Sequence, residues 1–547
     1  MDDRVELKKI DSREDNIIPS SEVILTELNI NPLTLKTVKP HLQRTHYRAI
    51  INWLTKYKPK TNFSNFDRVK GLIETFYHLC EVGDWEKASD ILAVQLNTAS
   101  NEQLHNELFI WSYYKEQIPL YKQLVGKINF IVDGNCFNAL GNIYIALGEL
   151  SPALEYYGKL LSISRILKDR EGEARALTNL GYIYDVLGKY DRAIELYQES
   201  LAIAEEIEDR QEKGRVFSCI GSAHLSLGNY HEAIKYYQQS LDINKEFNDR
   251  LGEGALLGNL SSAYCSLGDY HVAMDYARQQ LSIAREINER SGIATALGHL
   301  GNAHYRLGDY FLAIDCGQQE LDIAREIGER SKIGSALSTL SNANYSLGNY
   351  TQALEYTQQQ INIAWETRDR QLEAKAFGNL GNICFSLEEY EEAIEYTEHQ
   401  LRIALEIGDC ESEGIALGNL GNIYFDLGEY EKSLDITQQQ LVIARDIGSL
   451  WSEGMALGNL GDTLRKIERY PEALEALNSA NKIFVEIQDP AAEAATLLNL
   501  AEVYYQLNRI SLAKQFCMQA FKIATDLKIP LVKESLELQE KLTEEKA

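Results

Sequence analysis

Between Glu171 and Leu187 the apolar residues Ala174, Leu177, Leu180, Ile183, Tyr184 and Leu187 recur in steps of three and four. That is the spacing of one face of an α-helix. Gly188 follows, as glycine does just past a helix end. Tyr190, Ala193, Ile194, Tyr197, Leu201, Ala204 and Ile207 then carry the same spacing through a second stretch. Asp209-Arg210 closes it, and Gln211 begins the pattern again. The pattern predicts a helical hairpin with one apolar stripe on each helix. Neither helix buries its stripe alone, so neighbouring hairpins must stack.

The stack is long. A leucine recurs every 40 residues at Leu140, Leu180, Leu260, Leu300, Leu340, Leu380, Leu420, Leu460 and Leu500, with Ile220 in the one gap. Gly418-Asn419-Leu420-Gly421-Asn422 also stands as Gly378 to Asn382, and with one change as Gly458 to Asp462. A chain of 547 residues is too long for one globular core. A repeat array escapes that limit, because each unit packs only on its neighbours. The expected fold is all-α: an α-solenoid of about ten 40-residue helical hairpins with helical caps.

The boundaries follow the pattern. Residues 1–35 are charged and polar and are expected to form a loosely ordered arm. Residues 36–65 form a basic helical segment, with Tyr47, Ile50, Ile51 and Leu54 at helical spacing. It is either a docking element for an acidic surface or a capping helix with a solvated basic face. Residues 66–130 read as degenerate repeats, since Val82-Gly83-Asp84-Trp85 and Ala88 copy the turn of later units. Terminal units of a solenoid are expected to be atypical. The regular array spans 131–530, and 531–547, after Pro530, is expected to be a polar capping helix.

Charge narrows the partners. The net charge of −27 opposes nucleic acid and anionic membranes, which need a basic footprint, and it favours a partner with a basic segment. No run of about 18 apolar residues appears, so no membrane insertion is expected. The start, Met1 to Asn16, does not read as a signal peptide. The eight cysteines show no metal-ligand spacing and read as small buried thiols. A cytoplasmic protein, with a monomer as the favoured state, is expected. The ten histidines are scattered, and no nucleophile, base and orienting group come together in the sequence. The chain therefore reads as non-enzymatic, with no catalytic residue, no metal and no cofactor.

The unit resembles the tetratricopeptide repeat, on Leu180, Gly181, Tyr184, Gly188, Tyr190, Ala193 and Tyr197 of residues 171–210. The usual unit has about 34 residues, and this one has 40. The longer form, with its repeated Gly-Asn-Leu-Gly-Asn and its Asp-Arg link, is similar to Pins/LGN-class adaptors and to bacterial arrays of the cyanobacterial type. The resemblance implies a right-handed superhelix whose first helices line a concave groove for extended peptides. The GoLoco motifs that follow the repeats in Pins/LGN are absent from this sequence, as is a Gly-x-x-x-x-Gly-Lys-Ser/Thr loop.

On that groove the asparagines stand out. Asn179, Asn259, Asn379, Asn419 and Asn459 share one repeat position, and Asn302, Asn342, Asn382 and Asn422 share another, three residues on. Positions i and i+3 share a helix face. Asparagine is a mediocre helix former, so placing two per helix asks for a reason. Its amide offers both donor and acceptor to a peptide backbone. The alternative is an internal ladder, each amide bonding the next. Gly258, Gly298, Gly378, Gly418 and Gly458 are read as openings for a close ligand backbone. Tyr305, Tyr345, Phe385 and Phe425 follow one turn on, as apolar anchors or as packing between units. Arg175, Arg215 and Lys375 stand at the rim, where they would steer acidic ligand residues. The Arg of the Asp-Arg links reads as half of a stabilising salt bridge. The expected function is a scaffold or adaptor that binds extended or disordered protein segments. The alternatives are a ligand-responsive sensor controlling a separate enzyme and, more weakly, an assembly chaperone.

Overall fold

The computed structural model describes residues 17–59, 63–98, 100–487, 489–527 and 531–544. The arm's residues 1–16, Lys60 and Pro530 lie outside them. Among the described residues there are 27 α-helices and one short 3-10 helix. The one isolated β-bridge joins Gln95 and Gln103. The chain divides into two compact units, Met1–Ala223 and His224–Ala547.

The regular repeats share one plan, two helices joined by a tight turn. In the hairpin Arg250–Leu267 and Tyr270–Glu286, Asp249 caps the first helix by accepting from the Gly252 N–H at 2.9 Å. Asp169, Asp209, Asp369, Asp409 and Asp489 cap their helices in the same way. The arginine of each link pairs elsewhere. Arg250 reaches Glu253 at 2.5 Å and Glu286 in the last turn of the second helix. Arg170, Arg290, Arg330 and Arg370 repeat the second pairing with Glu206, Glu326, Glu366 and Glu406. The salt bridge thus pins the open end of these five hairpins, while the aspartate, where the link carries one, satisfies backbone donors.

Packing inside a hairpin follows the sequence. A Cβ on Gly181 would lie 2.5 Å from the Tyr197 ring, and one on Gly461 2.5 Å from Leu477. Ring stacks join the two helices at Tyr264 and Tyr276, 5.4 Å apart, and at His224 and Tyr236, 5.6 Å apart. His224 takes the place that tyrosine fills in other units.

In Met1–Ala223 the expectation of a loose arm fails for residues 17–35. Ser21–Glu27 is a helix, and Ile24 and Leu28 are almost fully buried. The apolar residues Ile17, Ile24, Leu25, Leu28 and Ile30 join the first unit's core; their spacing is too short and irregular to stand out beside the array. The basic segment contains the helix His41–Lys56, which buries Tyr47 and Ile50. It packs on Asn65–Glu81, and the Tyr47 hydroxyl donates to Asp84 at 2.7 Å. In His224–Ala547 the final helix, Leu531–Glu544, lies on Ile510–Leu527 and buries Leu538 and Leu542. No described helix is long and apolar enough to cross a membrane.

Candidate functional site

In His224–Ala547 consecutive first helices, from Arg250–Leu267 to Pro490–Gln506, touch one another, whereas consecutive second helices scarcely do. A stack whose members approach on one side curves toward that side. The first helices therefore line the inner face of this unit, and the candidate asparagines sit on them.

Asn259, Asn342, Asn379, Asn382, Asn419 and Asn459 are half-buried, while Asn302 and Asn422 are exposed. The Nδ2 atoms of Asn379 and Asn419 are buried and have no hydrogen-bond partner among the described residues. No ladder joins them. Asn302 donates only to the Cys265 sulfur, at 3.6 Å. In the other unit Asn179 is paired: it donates to Asn138 Oδ1 at 3.3 Å and accepts from Arg215 at 3.2 Å. Arg215 is otherwise held by Glu212 at 2.8 Å, and Arg175 by Glu171 at 2.5 Å. Arg175 also borders a hollow of ≈ 340 Å³ with Phe130, Ile131 and Leu167. Lys375 is exposed on Arg370–Ser386.

The aromatics are half-buried beside the hairpin turns. Phe385 meets Tyr390 with ring centres 6.0 Å apart, and Phe425 meets Tyr430 at 5.6 Å, both edge to face. Tyr305 and Tyr345 lean on Tyr310 and Tyr350 at 5.7 and 5.8 Å, with the rings tilted by 51°. Tyr345 also shares a hydrogen bond with Ser386 at 2.9 Å. These rings pack on the turn tyrosine of their own hairpin and also reach the next repeat, where Ser386 meets Tyr345 and Lys466 lies over Phe425 at 5.7 Å.

The glycines have a different role from the one expected. A Cβ on Gly258 would come within 2.7 Å of Gln280, on Gly298 within 2.8 Å of Glu320, on Gly378 within 2.8 Å of Gln400, and on Gly418 within 2.5 Å of Gln440. Each makes room for a buried polar side chain from the second helix of its own hairpin, not for a ligand backbone. At Gly458 nothing lies within 4 Å, because Ala480 stands where the glutamine would be.

Those side chains form a feature that the sequence reading missed. Gln280, Glu320, Gln360, Gln400 and Gln440 are spaced by 40 and all are buried. Gln360 has neither amide atom paired, and Gln400 and Gln440 each have an unpaired Oε1. The same position holds Ser200 and Ser240 earlier and Ala480 and Ala520 later. A register count on the second helices would have exposed this run of amides beneath the asparagines.

The run holds its one acid at Glu320. Its carboxyl floors a hollow of ≈ 390 Å³ between Arg290–Arg306 and Arg330–Ser346, walled by His299, Asn302, Tyr305, Lys332, Ser335 and Asn342, among others. Burial pushes this carboxyl up to about 8, against the opposing pull of Lys332 and a Ser335 hydrogen bond. The His299 ring lies against Gln280 Oε1 at 2.9 Å and Ser262 at 3.4 Å, and desolvation lowers it to about 4. Among the described residues no group of three or more His, Cys, Asp or Glu could hold a metal ion. The face offers donors, acceptors and one buried acid, which suits binding.

No curated protein matches the chain. A Rap protein solved in complex with Competence and Sporulation Factor is similar at 17% identity, covering 70% of this chain and 99% of its own, with a TM-score of 0.49. Aspartyl phosphate phosphatase F from Bacillus subtilis is similar at 16% identity, covering 63% and 92%, with a TM-score of 0.43. The Signal Transduction ATPase with Numerous Domains protein with a tetratricopeptide repeat sensor, from Pyrococcus horikoshii, is similar at 15%, covering 92% and 75%, with a TM-score of 0.44. The tetratricopeptide repeat family model matches residues 135–206, 213–286, 292–364, 372–446 and 452–526, more than half of the chain. With its capped hairpins and stacked first helices, the chain belongs to the tetratricopeptide repeat family.

Proposed function

We propose that this protein is a non-enzymatic scaffold or adaptor whose His224–Ala547 unit binds an extended segment of a partner protein along the first helices. Tetratricopeptide arrays typically mediate protein–protein interactions and are generally non-catalytic. One observation carries the reading: the Asn379 and Asn419 amides are buried on the inner face with unpaired N–H groups. A buried polar group without a partner costs about 1–3 kcal/mol. A peptide carbonyl supplies the missing acceptor, and the same spacing of 40 repeats it along a strand.

The test is the fourfold variant N379A/N382A/N419A/N422A. Its affinity for a peptide selected against the natural chain should fall about a hundredfold or more, since each lost bond is worth roughly 0.5–1.5 kcal/mol net. Its melting curve should hold or rise, because alanine is the better helix former. Unchanged affinity ends the groove reading for these units. A cooperative loss of stability instead reveals an internal amide network.

A further inference from the structure

We infer that the hollow floored by Glu320 receives a basic side chain, a guanidinium or ammonium, from the bound segment. This rests on the groove reading above and adds to it the charge and the place of one anchor. Four observations bear on it. Glu320 is only 2% exposed, and its Oε2 has no hydrogen-bond partner. A buried carboxylate is costly unless a partner meets it. The surrounding charges do not meet it. On Arg330–Ser346 the Lys332 ammonium is bound to Glu329 at 3.0 Å, and on Arg290–Arg306 the His299 ring is engaged by Gln280 and Ser262. On its own helix the nearby ionisable groups are Asp315 and Cys316, neither of them a cation.

The repeat supplies its own control. Gln280, Gln360, Gln400 and Gln440 fill the equivalent position, so an amide satisfies the packing there. The acid adds the capacity to ionise, which an amide lacks, and a cation entering the hollow favours the ionised form. Arg offers five N–H donors and Lys three, while the wall offers acceptors in Ser335, Asn302, Asn342 and the Tyr305 hydroxyl. The volume of ≈ 390 Å³ lies at the small end of ligand pockets, which run about 300–1,000 Å³, and admits one long side chain. The chain's net charge of −27 draws basic segments toward it.

The experiment is a selection of random 15-residue peptides displayed on phage, run in parallel against the full chain and against E320Q. The natural chain should select peptides with Lys or Arg at one fixed position. Such a peptide should lose tenfold or more in affinity on E320Q, and equally when its Arg is replaced by citrulline with the natural chain. The two changes together should cost little more than either. The citrulline arm needs no protein variant, so it stands even if E320Q folds poorly. Peptides that bind with no fixed basic position, or equally to E320Q, overturn the pocket and leave the groove reading intact. No selected peptide overturns both. A Glu320-dependent thermal shift with free argininamide or putrescine, without peptide binding, overturns the segment as the source of the cation.

Discussion

Glu320 and His299 make stability depend on pH in opposite senses. Glu320 is raised to about 8 in the fold, so its contribution is full below the unfolded value near 4.5 and is lost as pH rises through about 8. His299 is lowered to about 4, so its contribution is full above the unfolded value near 6.5 and is lost as pH falls toward about 4. Between about 4.5 and 6.5 the two slopes oppose, and above that Glu320 alone drives stability down. E320Q should therefore melt higher than the natural chain at pH 9 and differ little at pH 5. Thermal scans at the two values check it; an equal melting difference at both would show that the carboxyl does not titrate in the fold. His299, Lys332, Glu329, Asp315 and Cys316 are the other ionisable groups near the carboxyl and are unchanged in the comparison. None of this was legible from the letters. Gln280, Gln360 and Gln440 end runs of glutamine and Gln400 follows Glu398-His399, and an amide on an amphipathic helix reads as solvent-facing until a neighbour covers it. Asn379 and Asn419 were legible, because asparagine recurring inside a helix breaks a propensity rule that glutamine does not.

Within a hairpin, the same residue type does different work at equivalent positions. G418A drives a Cβ to 2.5 Å from Gln440 and should lower the urea midpoint. G458A has open space around it and should raise stability by up to about 1 kcal/mol, since alanine is preferred over glycine in a helix interior. The double change G418A/Q440A should recover much of the first loss; additive losses would show that the glutamine is not what the glycine accommodates. The turns offer a second comparison. Gly308 and Gly348 adopt positive φ of 81° and 76°, and Glu388 and Glu468 are held at 64° and 63° in the same place. A left-handed conformation costs a non-glycine residue about 1–2 kcal/mol, of which glycine's greater freedom in the unfolded chain takes back about 0.5–1. E388G should be stabilising by a fraction of a kcal/mol up to about 1, read from chemical denaturation. The hairpins and their turns were legible because period, stripe and glycine agree. The arginine's true partner was not: Glu286 lies 36 residues beyond Arg250, a distance along the chain at which nothing local suggests a pair.

For the whole chain, the solenoid's ends need covers. Removing residues 531–547 uncovers the surface on which Leu538 and Leu542 lie. The truncated protein should self-associate, and sedimentation velocity would show it. An unchanged monomer with unchanged melting would mean the last helix is dispensable. In a linear array, stability is a sum of unit and interface contributions, and partial unfolding starts wherever that sum is smallest. Frayed ends are the usual answer. Here the seam changes along the sequence: unpaired polar atoms at Glu320, Gln360, Gln400 and Gln440, then only alanine at Ala480 and Ala520. The His224–Ala547 unit therefore carries its fault line in the middle. Amide hydrogen exchange should run faster in the helices around Gln360 than in those around Ala480, a breathing motion that a strand laid across the seam would damp.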